Sequence, residues 1–210
     1  MQRMSTTSPA PVWTAVDFLD LGKRDAIDKT LQRMVSDQTL RRIDRGLYDQ
    51  PYLNALTGNP SAPDYRRVID AVARRDQVRM LIDGLTAAND LGLTHAVAGK
   101  VMVHTDARLR PIVLDNLIIQ FKLTAPSKLY WANRPAMRIV QALYWLRDTL
   151  KNDRAFDQQL VQTQLVRILQ NSPQGAALRD DLQTGLPTLP SWMQQWVRNL
   201  IEAAMQGGAK

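Results

Sequence analysis

The chain has 210 residues, 45% of them hydrophobic and 22% charged, which suits one large or two small domains with a buried core and excludes wholesale disorder. No apolar run reaches the length of a membrane-spanning helix and no secretory pattern opens the chain, so a cytoplasmic protein without membrane contact is expected. Cysteine is absent and His95 and His104 are the only histidines, which removes disulfides, thiol catalysis and Cys-containing zinc sites, while a net charge of +7 carried mostly by arginine favours a polyanionic partner.

Taken in chain order, Thr14 can cap a short helix to about Leu21, with Val16, Phe18 and Leu19 as its stripe and Gly22 as its stop. A second helix is predicted over 23–36, capped at Gly22. Ile27, Leu31, Met34 and Val35 share one face, and Arg24, Asp25, Asp28, Lys29, Gln32 and Arg33 face outward. Leu40–Ile43, a turn at Asp44-Arg45-Gly46 and Leu47–Asp49 read as a β-hairpin. Helix, turn, helix, hairpin is the element order of a winged helix-turn-helix, assigned here to residues 13–50. Turn formers from Pro51 to Pro63 make a connector.

The middle unit, 64–150, opens with a helix from Tyr65 to about Arg79. A short apolar piece, Leu81-Ile82, precedes Gly84, and a second helix runs from Thr86 to Leu91 with Gly92 closing it. Three β-rich runs follow, Lys100–His104, Pro111–Leu114 and Leu117–Lys122, and are expected to form a small antiparallel sheet. A long helix from Ala136 to about Lys151 carries Ile139, Val140, Leu143, Leu146 and Leu150. After a seam at Lys151-Asn152-Asp153, residues 151–210 read as a helical extension over 157–170, 174–182 and 191–205. The fold class is thus α+β and mainly helical. Residues 56–150 hold 13 basic and 8 acidic groups, so most of the charge excess lies outside the N-terminal unit.

For chemistry, no nucleophile–base pair, carboxylate cluster or phosphate-cradling glycine loop stands at diagnostic spacing, and Glu202 is the only glutamate. His104-Thr105-Asp106 could orient an imidazole, but a partly exposed, locally hydrogen-bonded histidine is the preferred explanation. No enzymatic role, cofactor or metal is expected. DNA contact is the alternative the pattern offers: Arg24, Lys29 and Arg33 on the recognition helix, and Arg41, Arg42 and Arg45 at the wing. The same side chains could be solvated charges, since Asp25, Asp28 and Asp44 interleave with them and Asp25–Lys29 is a helix-supporting pair. Winged helices also serve as protein-docking modules. Tyr130-Trp131, Tyr144-Trp145 and Trp192/Trp196 suit core packing, base stacking or a partner anchor.

The run from Phe18 to Gly22, then Arg24–Arg33, then Leu40-Arg-Arg-Ile-Asp-Arg-Gly-Leu-Tyr48 resembles the N-terminal winged helix of bacterial AbiEi-type antitoxins. Asp83-Gly-Leu-Thr-Ala-Ala-Asn-Asp-Leu-Gly-Leu-Thr94 and Phe121-Lys-Leu-Thr-Ala-Pro126 are similar to the domain that follows it in those proteins. The resemblance spans about residues 13–150. It implies the antitoxin of a type IV toxin–antitoxin system, with two partners: a cognate nucleotidyltransferase toxin that it neutralises, and promoter DNA through which it represses its own operon. Homo-oligomerisation is left open. The family also has a helix ahead of the Trp13 position, where this chain has twelve residues including Pro9 and Pro11. The inner face of the 23–36 helix is therefore expected to be covered by an upstream segment, by the middle unit or by a second protomer.

Overall fold

A computed structural model describes residues 11–53, 58–96, 99–151 and 155–206. Parts of the connector and of the seam expected after Lys151, and the first ten residues, lie outside the described residues. The fold is α+β and mainly helical.

The N-terminal unit begins with a tight turn. Thr14 donates its backbone N–H to the Asp17 carboxylate at 2.8 Å, and residues Ala15–Phe18 form a single 3-10 turn in place of the expected helix. Leu21 bonds back to the Phe18 carbonyl three residues earlier, so the chain stays in this tighter geometry up to Gly22. Helix α1 spans Arg24–Ser36, with Lys23 rather than Gly22 at its N-cap position. Strands β1 (Arg41–Asp44) and β2 (Leu47–Asp49) form the hairpin, and Gly46 takes the left-handed φ of 70° that the turn requires. Trp13 adds a third, one-residue rung by exchanging two backbone hydrogen bonds with Tyr48, at 2.7 and 2.9 Å.

Alternation along β2 then divides the core. Tyr48 joins Ala15, Phe18, Ile27, Leu31 and Leu40 in a small apolar cluster, with Trp13, Met34 and Val35 at its edge. The inner face of α1 is therefore covered within the unit, by the Trp13–Phe18 segment and the hairpin. Leu47 points the other way and, with Val12, belongs to a large cluster that continues to Ala204. Helix α2 (Tyr65–Asp76) contacts β2 and the 3-10 turn. Its Arg74 donates to Asp17 at 3.0 Å and to the Val12 carbonyl at 3.0 Å, and Arg75 donates to the Arg45 carbonyl at 2.6 Å.

Burial pushes the Asp17 carboxyl up, but hydrogen bonds from Arg74 and Thr14 outweigh it and hold it below the usual carboxylate value of 3.8. A depressed carboxyl contributes stability above its unfolded pKa and loses it as pH falls through the folded value. Asp17→Asn should therefore cost about 1 kcal/mol at pH 7. The difference from wild type should close in acid, below the ordinary carboxylate range, when denaturant midpoints are compared across pH. A deficit that persists undiminished there would show that the charge is not what Asp17 contributes.

The second sheet has four strands: β3 (Met80–Ile82), β4 (Lys100–Thr105), β5 (Ile112–Leu114) and β6 (Leu117–Leu123), in the order β3-β4-β6-β5. It is mixed, not antiparallel as expected. The Asp115-Asn116 turn makes β5 and β6 an antiparallel hairpin, and that hairpin docks with β6 inward, so β4 and β6 run parallel. The link 106–111 crosses to the far edge, which lets Val101, Val103, Ile112, Leu114 and Ile119 all be buried. The apolar piece at Leu81-Ile82 becomes the opposite edge strand.

Helix α3 (Gly84–Asp90) starts at Asp83, whose carboxylate accepts from the Thr86 N–H at 3.0 Å, the Thr86 hydroxyl at 2.6 Å and the Met102 N–H at 3.1 Å. A Cβ on Gly84 would lie 2.7 Å from the Gln141 carbonyl, so only glycine lets α3 sit this close to α4 (Met137–Trp145). The long helix expected over 136–151 is two helices, α4 and α5 (Arg147–Lys151), joined at Leu146, and its apolar stripe is buried across the break. Helices α6 (Ala155–Asn171), α7 (Gly175–Gly185) and α8 (Ser191–Gln206) complete the fold. Trp192 and Trp196 lie half-buried against the main cluster. Among the described residues, no helix is long and apolar enough to cross a membrane.

Candidate nucleic-acid interface

The six cations expected at a DNA surface are sorted by local geometry. In β1, Arg41 and Ile43 lie on the half-buried side and Arg42 and Asp44 on the exposed side. Arg41 faces Asp49 across the hairpin and grips it with two bonds, at 2.9 and 2.6 Å, while a third N–H reaches the Ser61 carbonyl at 2.8 Å. It therefore clamps the hairpin base to the connector. Arg42 is exposed, with one long bond of 3.4 Å to the Asp44 carbonyl. Arg45 projects at the hairpin tip with its side chain exposed.

On α1, Ile27 and Leu31 face the small cluster, and helical spacing puts Lys29, Gln32 and Arg33 on the opposite side. Lys29 and Arg33 are exposed. Arg24 lies at the flank and is paired with Asp28 at 2.9 Å, so the i, i+4 ion pair that forms is this one and not Asp25–Lys29. The structure thus brings four outward cations, Lys29, Arg33, Arg42 and Arg45, onto one packed unit, and engages Arg24 and Arg41 within the chain.

One contributor carries no local sequence signal. Arg75 lies 30 residues beyond the tip it supports and is itself held bidentately by Asp76 at 2.8 and 2.7 Å. That contact fixes the carbonyl of Arg45 and so the direction of the tip.

Elsewhere, His104 and Asp106 of the tripeptide His104-Thr105-Asp106 bond to other partners. Asp106 accepts from the backbone and side chain of Arg79, at 3.0 and 3.1 Å, and His104 Nδ1 meets the Thr124 hydroxyl at 3.0 Å. Burial foremost, with Lys122 nearby, pushes the imidazole below its usual value of 6.5. No group of three or more His, Asp or Glu side chains suited to a metal occurs among the described residues.

Residues 2–171 match a family of unknown function, DUF6088, and the chain belongs to that family. No curated protein matches the sequence.

Proposed function

We propose that this DUF6088 member is a cytoplasmic, non-enzymatic DNA-binding antitoxin. In this reading its N-terminal unit is a winged helix that represses its own operon, and the chain neutralises a cognate nucleotidyltransferase. One observation carries the DNA-binding half. Lys29 and Arg33 on α1 and Arg42 and Arg45 on the hairpin are exposed, and none of the four has an ion-pair partner among the described residues. A helix and a wing that present cations from one rigid unit suit a groove and its flanking phosphates. The toxin half rests on the resemblance of Asp83–Thr94 and Phe121–Pro126 to the antitoxin domain.

The test is binding to the DNA upstream of the gene as a function of salt. Each cation that neutralises a phosphate contributes about 0.9 to the slope of log affinity against log salt. Changing Lys29, Arg33, Arg42 and Arg45 to alanine should therefore flatten the slope by several units and leave the fold intact. Arg41→Ala should instead lower thermal stability, because it frees Asp49, which is buried. An unaltered slope in the quadruple variant would remove these residues from the interface.

A second reading has its own observation. Leu19 and Leu21, on the approach to α1, are 49% and 68% exposed, which suits protein docking better than phosphate. If the unit docks protein and not DNA, serine at both positions should weaken assembly with the toxin, and the quadruple variant should not.

A further inference from the structure

A cleft of about 570 Å³ opens between the ends of β3 and β4, the 3-10 turn Pro126–Lys128 and α4. Its volume is that of a small-molecule site. The lining has a marked chemical bias. Tyr130 and Tyr144 contribute half-exposed rings, Lys128 contributes an ammonium group, and Ser127, Gln141 and His104 contribute hydrogen-bonding groups, while no carboxylate lines it. Lys128 has no ion-pair partner among the described residues. The guanidinium of Arg134, anchored by Asp181 at 2.6 Å, lies 4.6 Å from the centroid of Tyr130 and holds that ring from one face.

The state of His104 follows from its neighbour. The Thr124 hydroxyl is within hydrogen-bond reach of both the Lys122 carbonyl, at 3.1 Å, and His104 Nδ1, at 3.0 Å; when its one proton goes to the carbonyl it accepts from His104, and the imidazole then carries its proton on Nδ1. In that tautomer of the neutral ring, Nε2 is an acceptor without a hydrogen-bond partner among the described residues. The cleft therefore offers aromatic surface, an acceptor for an N–H or O–H, and a cation with a hydroxyl beside it at Ser127. A cationic ligand would be repelled by Lys128 and find no counter-charge.

We propose that this cleft binds a small anion built on a planar ring that bears a hydrogen-bond donor. Nucleoside monophosphates and hydroxylated aromatic carboxylates share that chemistry. The ring would stack on the tyrosines, its donor would meet His104 Nε2, and its anionic group would lie at Lys128 and Ser127. The site is separate from the DNA-contacting residues, so either proposal can fail alone.

The two histidines make the test direct, because the full chain gives two sets of imidazole resonances and His104→Gln assigns them. Titration with guanosine 5′-monophosphate, with 4-hydroxybenzoate and with inorganic phosphate separates the sources. One ring-bearing anion should shift His104 saturably while exposed His95 stays still, and inorganic phosphate should not reproduce the shift. Lys128→Ala and Tyr144→Ala, both at exposed positions, should each weaken binding about tenfold without lowering the melting temperature. Which anion saturates identifies the source. Absence of a saturable shift at millimolar concentration with either anion, an equal shift with phosphate alone, or undiminished binding by both variants would each overturn the proposal.

Discussion

Replacing Asp90 with alanine is expected to destabilise the protein by about 3 kcal/mol, at the lower end of what breaking a buried ion pair costs. The carboxylate, only 3% exposed, is where three helices meet. It accepts from Arg66 Nε of α2 at 2.8 Å, from Arg138 Nε of α4 at 3.0 Å and from the Tyr65 hydroxyl. Burial first, and then that bond to Asp90, push the Tyr65 hydroxyl well above its usual pKa, so it stays protonated and must donate. Alanine leaves this donor and two guanidinium groups without their acceptor. The arginines are 41% and 34% exposed and can turn to water, which is why the lower end applies. For a chain of this length the melting temperature should fall by about 6–12 °C. Asp90→Asn retains one acceptor oxygen and should lose less. A melting temperature for the alanine variant within a degree or two of wild type would mean that the three donors are satisfied by water and that Asp90 does not hold the helices together.

This node shows what kind of information the sequence withheld. Asp90 is joined to residues 24 and 48 positions away, and nothing local in Ala88-Asn89-Asp90 marks it as an anchor. By contrast, nearly every helix and strand was legible within a few residues, because apolar period and punctuation are local. The Gly-x-x-Ala-Ala-x-x-Leu-Gly stretch that carries the antitoxin resemblance has a packing basis of the same local kind. Gly84 permits close approach to α4, Ala87 and Ala88 are fully buried, and Gly92 takes a φ of 68°. Sheet order was not legible, since strand pairing is decided by which hairpin edge docks, and β3 is too short to declare itself. The four exposed cations could be named from sequence, whereas their separation from Arg24 and Arg41 could be only half anticipated. Strand alternation with Ile43 already implies that Arg41 turns inward, but its partners Asp49 and Ser61 come from pairing across the hairpin and the connector.

Leu47→Ala tests the junction on which the proposed interface depends. The turn-rich connector over 51–63 suggests that residues 64–210 fold without the N-terminal unit, in which case damage at the hairpin should melt that unit alone. The packing favours the opposite outcome. Leu47 is fully buried and shares one apolar cluster with Val12, Val68, Val72 and the helices beyond, and Arg74 and Arg75 bind the 3-10 turn and the hairpin tip across the same boundary. Truncating such a leucine costs about 2–5 kcal/mol through lost burial and the cavity left behind. Because the cluster is continuous, that cost should fall on a single cooperative transition, lowered by about 2–4 °C per kcal/mol. Amide exchange resolves the two cases. Faster exchange in α1 and α8 together would show one folding unit, whereas faster exchange confined to residues before the connector would show two. In the first case the direction of Arg42 and Arg45 is set by the main core through Leu47 and Arg75, so a ligand that stabilises the core would also stabilise the tip proposed to meet DNA.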